Sequence, residues 1–194
     1  MHDTQDRARE RIKAVVSGMF GQAFLDWGEM LGFEGSVGAC TVRVLPHAPG
    51  LLERIVGDGL LVRTRLEIRG AGEPVLLVIP AVVLGTALAN ALMLPVEAGA
   101  KPSVDWDNAG HVDAIKELVN LFCGSASAAL GKLGVRGRVS QTVDELSIHP
   151  GSCGDVELPG EGRVVCVQVA TSVEGGQAHG WCLVGESMAA SVAR

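Results

Sequence analysis

The spacing of apolar residues along "HVDAIKELVNLFCGSASAAL" (111–130) predicts a helix that runs on to residue 133. At roughly 100° per residue, Val112, Ile115, Leu118, Val119, Phe122, Ala126, Ala129, Leu130 and Leu133 gather on one broad side, the side expected to face a core. Asp113, Glu117, Asn120 and Gly124 fall at i, i+4, i+7 and i+11, one straight stripe on the opposite side, predicted to be exposed. The stripe reads on into Ser127 rather than into the Lys and Glu that usually fill a solvent face. Asn is a mediocre residue for a helix interior. Gly124, beside Leu121 and Ala128, lowers the surface where another backbone can approach. Glu117 and Asn120 point in nearly the same direction, so one small reacting group can meet both.

Sliding the chain on itself by 103 residues lays "IKAVVSGMFGQAF" (12–24) on "IKELVNLFCGSAS" (115–127), with Ile, Lys, Val, Gly and Ala repeated in register. The order of elements after each helix also repeats. The first half continues through the β-rich runs "ACTVRVL" and "LLVRTRLEI", the turn "RGAGEP", the strand "VLLVIP" and the helix "AVVLGTALANALM". The second half continues through "GRVSQTVDELSI", "RVVCVQVAT", the turn "VEGGQ", the strand "AHGWCLV" and the helical tail "ESMAASVA". The expected fold class is α+β: one domain (1–194) built of duplicated helix and antiparallel-sheet halves, 6–93 and 111–193, with approximate two-fold symmetry. The segment "LPVEAGAKPSVDWDNAG" (94–110), rich in Pro, Gly and Asp, is the expected linker. In the first-half copy Glu10, Ala14 and Ser17 stand where the second half has Asp113, Glu117 and Asn120, so only one helix is expected to carry a working stripe.

At 194 residues and 47% hydrophobic content the chain can bury a core. A net charge of -6 with no run of Lys or Arg makes nucleic acid and anionic membrane poor partners. The five cysteines, Cys40, Cys123, Cys153, Cys166 and Cys182, are odd in number and never in a CxxC pair, so they read as reduced and mostly buried. The start "MHDTQDRARERIKAVV" lacks the basic-then-apolar order of a signal peptide, and no apolar run approaches the ~20 residues that span a bilayer. The expected location is cytoplasmic, with no membrane insertion. His2, His47, His111, His149 and His179 show no metal spacing, so no metal site is expected. His149 and Cys153 flank "PGS" without a third orienting group, and "GEGRVV" does not join a strand to a helix as a phosphate-cradling loop does. Trp27, Trp106 and Trp181 are assigned to core or interface.

The pattern Asp113-x3-Glu117-x2-Asn120, followed by the small-residue stretch "CGSASAAL" and set in a duplicated α/β layout, resembles the signature helix of the CheC, CheX and FliY family of chemotaxis phosphatases. That resemblance implies a single-site, CheX-like protein that hydrolyses the aspartyl phosphate of a CheY-like response regulator. Asn120 would orient the water, Glu117 would anchor the regulator's active-site lysine, and Asp113, Leu121 and Gly124 would meet the partner. It implies no cofactor of the protein's own, since Mg2+ comes with the regulator, and leaves a homodimer possible. Family members often carry a Pro in the segment after this helix, where the present chain has "SQTVD" with Gln141 and Thr142. Two other readings stand beside the enzyme: a binding module of the same fold that docks a regulator or a flagellar or chemotaxis signalling protein, and a homodimerising α+β domain whose polar stripe is only solvated.

Overall fold

The computed structural model describes residues 2–48, 50–56, 59–69, 71–95, 103–141 and 157–193. Along the chain come α1 (His2–Leu31), β1 (Gly35–Pro46), α2 (Leu51–Val56), β2 (Leu60–Ile68), β3 (Ala71–Ile79) and α3 (Ala81–Ala91). The second half supplies α4 (Ala109–Lys132), β4 (Gly137–Gln141), β5 (Arg163–Val173), β6 (Gly176–Gly185) and α5 (Glu186–Ala193). These strands form one sheet in the order β1-β5-β6-β3-β2-β4, and every neighbouring pair is antiparallel. Exchanging β1 with β4, β2 with β5 and β3 with β6 gives the same order read backwards, so the halves correspond about the β3/β6 seam.

The same correspondence is written at the two helix ends. Leu31-Gly32-Phe33-Glu34-Gly35 follows α1, and Leu133-Gly134-Val135-Arg136-Gly137 follows α4. Gly32 and Gly134 take φ of 74° and 72°, the left-handed conformation that ends a helix without the penalty a Cβ would bring. Phe33 and Val135 then turn inward and are buried, and Gly35 and Gly137 open the edge strands β1 and β4.

The four longer helical segments α1, α3, α4 and α5 contribute to one core on one face of the sheet. Where α1 meets α4, Phe122 lies edge-on to Phe20 and Trp27 at centroid distances of 5.2 and 5.8 Å, an arrangement favoured by the ring quadrupoles. A smaller cluster on the other face joins Leu61, Leu76, Val78, Val164, Cys166 and Leu183 to Leu52 of α2. The middle strands are therefore covered on both sides, which is why "VLLVI" (75–79) is buried throughout and shows no alternation.

Several boundaries differ from the sequence expectation. The turn "RGAGEP" is tighter, because β3 already begins at Ala71. Helix α4 starts at Ala109, taking the last two residues of the expected linker, because Asn108 caps it by accepting hydrogen bonds from the backbone N–H of Gly110 and His111. Helix α2 is too short to show a helical period and has no counterpart in the sequence expectation. Of "GRVSQTVDELSI", the first five residues are β4, while 142–148 lie outside the described residues, as do 96–102 of the linker and His149 and Cys153.

Candidate functional site

Capped at Asn108 and anchored by its apolar side, α4 presents a fixed outer face. Ile115, Leu118, Val119, Phe122, Ala126, Ala129 and Leu130 are buried, and Val112 and Leu133, at the two ends of this side, are half-buried. Asp113, Glu117, Asn120 and Gly124 are all exposed on the other side, with Leu121, 41% exposed, alongside them. The Asp113 carboxylate accepts from Lys116 Nζ at 3.2 Å. Among the described residues neither Glu117 nor Asn120 spends its side chain on a hydrogen bond or ion pair. A Cβ added at Gly124 would meet nothing within 4 Å, and the same holds at Gly131, two turns further along the stripe.

Ser127 is not part of this surface. It is half-buried, and its Oγ accepts from Val139 N at 2.9 Å and lies 2.8 Å from Cys123 O, so it fastens α4 to the edge strand β4. Ser125, which the apolar periodicity passed over, is buried and donates to Asp26 of α1. Asp26 also accepts from Gln22 Nε2 at 2.6 Å, and Gln22 Oε1 accepts from Lys132 Nζ at 2.6 Å. This chain of bonds locks α4 against α1 beneath the stripe. The polar residue at 125, inside an otherwise small apolar run, was the available signal for it.

On α1 the corresponding positions are blank. Ala14 is exposed, Ser17 is half-buried and bonds to the Cys40 thiol, and Glu10 is taken up by Lys13. A nucleophilic thiol is not available on α4 either: burial pushes Cys123 up to about 11, which leaves it protonated at neutral pH. Among the described residues no group of three His, Cys, Asp or Glu converges as a metal site would require. No described helix is long and apolar enough to cross a membrane. The outer face of α4 thus offers one uncommitted carboxylate and one uncommitted carboxamide, held on a rigid element above a surface kept low by glycine.

No protein-family model and no curated protein sequence matches the chain. The likeness is structural. FliY of Thermotoga maritima superposes with a TM-score of 0.63 at 17% identity, over 95% of this chain and 93% of that one. The middle domain of FliM from H. pylori gives 0.64 at 7% identity over 96% of each chain. CheX of Vibrio vulnificus gives 0.52 at 13% identity over 87% of this chain and 97% of that one. In its fold, the chain stands with FliY, the FliM middle domain and CheX.

Proposed function

We propose that the outer face of α4 docks a phosphorylated, CheY-like response regulator and hydrolyses its aspartyl phosphate. The observation that carries this reading is the pair Glu117 and Asn120, exposed three residues apart with no partner among the described residues, beside a glycine that nothing in the fold requires. An aspartyl phosphate is an activated acyl phosphate. Its hydrolysis needs a water held in line behind phosphorus and little covalent help from the protein. The Asn120 amide can accept from and donate to such a water while bringing no charge that repels the phosphoryl oxygens. Glu117, one turn earlier, is placed to hold a cation of the regulator and so fix the register. Asp113, Leu121 and Gly124 extend the contact along the helix. Mg2+ would reach the site with the regulator's own acidic pocket.

The closer likeness to the FliM middle domain, 0.64 against 0.52 for CheX, favours a second reading in which the same face docks a regulator or flagellar signalling protein without hydrolysis. Variants of the two side chains separate these readings. Asn120→Ala should abolish most stimulated phosphate release from a phosphorylated CheY-like partner while leaving binding nearly intact, because positioning acts in the transition state. Glu117→Ala should weaken both binding and release. Binding without any stimulated release by the wild-type protein would establish the docking module, and wild-type rates in Asn120→Ala would refute the water-orienting role.

A further inference from the structure

The duplicated halves carry opposite charge at the positions where they correspond most closely. In the first half, Glu34 of the α1–β1 connection meets the β5–β6 turn, where Glu174 N donates to Glu34 O at 3.1 Å. In the second half, Arg136 of the α4–β4 connection meets the β2–β3 turn, where Arg69 N donates to Arg136 O at 3.2 Å. Glu174 and Arg69 share a left-handed backbone, φ 49° and 53°. In the last turn of α1, Glu29 lines the same hollow as Glu34. One corner therefore presents Glu29, Glu34 and Glu174, and its counterpart presents Arg69 and Arg136, all exposed.

These corners face away from each other. β3 and β5 run in the same direction in the sheet, with Val75 and Val165 both paired to Val184, so the turn before β3 and the turn after β5 lie at opposite ends of the strands. At roughly 3.3 Å per residue their separation exceeds about 40 Å. Each corner encloses a hollow, about 510 Å³ at the acidic end and about 330 Å³ at the basic end. Apolar atoms lie within both: Phe33 and the 53% exposed Leu25 at the first, Val135 and Val192 at the second. Among the described residues the side chains of Glu29, Glu34, Arg69 and Arg136 have no ion-pair partner within the molecule. The charges of opposite sign nearby are engaged elsewhere: Glu67 with Arg65, and Glu10 with Lys13. Arg11, in the basic hollow, donates to Leu133 O and so also serves the end of α4.

We infer that the acidic corner, centred on Glu34 and Glu174, is a docking surface for the basic corner, centred on Arg69 and Arg136, of a second copy of this chain. A two-fold dimer through either corner would set like charges against each other, which is disfavoured all the more at a net charge of -6. Joining unlike corners is heterologous and propagates, closing into a ring or extending as a filament according to the rotation at each step. Exposed ion pairs are individually weak and screened by salt, so association belongs to high protein concentration and low ionic strength. The inference is independent of the reading of α4.

Sedimentation equilibrium at about 20 mM and about 500 mM salt tests it. Wild-type protein should show a weight-average mass that rises with concentration past that of a dimer at low salt. Its apparent association constant should fall at least tenfold at high salt. Glu34→Arg with Glu174→Arg makes both corners basic, and Arg69→Glu with Arg136→Glu makes both acidic. Reversal at Glu174 also removes the hydrogen bond that its carboxylate accepts from Glu34 N at 3.0 Å, so circular dichroism checks that both variants fold. Should either unfold, glutamine at the same positions neutralises the corner instead and should abolish association. Each charge-reversed protein alone should be monomeric, and their equimolar mixture should associate again. A wild type that stays monomeric at low salt, a dimer that both variants retain, or a mixture that fails to re-associate overturns the proposal.

Discussion

A side chain at Gly124 would stand in open space, because an added Cβ meets nothing within 4 Å and the position lies in regular helix. Within the isolated chain, glycine there only costs stability. Gly124→Ala should therefore stabilise the fold by up to about 1 kcal/mol, read as a shift of the urea midpoint at unchanged slope. The same variant should weaken binding of a phosphorylated CheY-like regulator, since the added methyl keeps an approaching surface away from Glu117 and Asn120. Stabilisation with undiminished binding would remove Gly124 from the contact. The outer face of α4 was legible residue by residue because helical period alone decides which side is wet. Ser127 departs from that face for the complementary reason: periodicity gives an angle around the axis but not the neighbour, here Val139 N, that waits at that angle.

At the scale of elements, α1 and α4 are joined by a greasy aromatic crossing and by the polar chain Ser125–Asp26–Gln22–Lys132. Ser125 is only 8% exposed. Asp26→Ala would leave its hydroxyl buried without this acceptor, so a loss of about 1–3 kcal/mol is expected, measured by chemical denaturation. Asp26→Asn, which keeps an acceptor, should lose less. Because the bond fixes α4 against α1, a partner that reads both helices would feel Asp26→Ala in its affinity. Most strands and helices were recoverable from turn residues and apolar runs. The limits of each were not, since they depend on local bonds such as the Asn108 cap and on the two-residue tightness of the β2–β3 turn.

For the whole molecule, the buried thiols predict how stability depends on pH. Burial raises Cys123 from 9.0 to about 11 and Cys166 to about 12, and pushes Cys182 up as well. A raised thiol is neutral and compatible with the fold below its unfolded value. Above pH 9 the unfolded chain releases these protons while the folded one holds them, so stability falls as pH rises toward 11. Cys123 alone accounts for roughly 3 kcal/mol of that loss. Urea midpoints at pH 8 and pH 10.5 should differ accordingly, and the difference should shrink in Cys123→Ala; an unchanged difference would show that the thiol is not held protonated. The 103-residue offset pointed to two like halves, but the interleaved strand order was not legible, because no local pattern states which half a strand will pair with. The charge inversion between Leu31-Gly32-Phe33-Glu34-Gly35 and Leu133-Gly134-Val135-Arg136-Gly137 was on view in the sequence and became meaningful only once both loops were seen to occupy equivalent corners.

The interleaving also dictates a history for every newly made chain. β2 and β3 can pair as soon as they are synthesised, being joined by a tight turn. β1 cannot, because its ladder with β5 links residues from 117 apart, Pro46 with Arg163, to 138 apart, Gly35 with Val173. Until the ribosome has passed residue 163 and made β5, the first long strand has no neighbour in the sheet, and the apolar side of α1, although α4 is already made, lacks the β5–β6 part of the sheet to rest on. Closing such distant pairs is the slow, entropically costly part of folding. The nascent first half is therefore a natural client for chaperones, and a ribosome that stalls before β5 leaves behind an adhesive fragment rather than a half-sized domain.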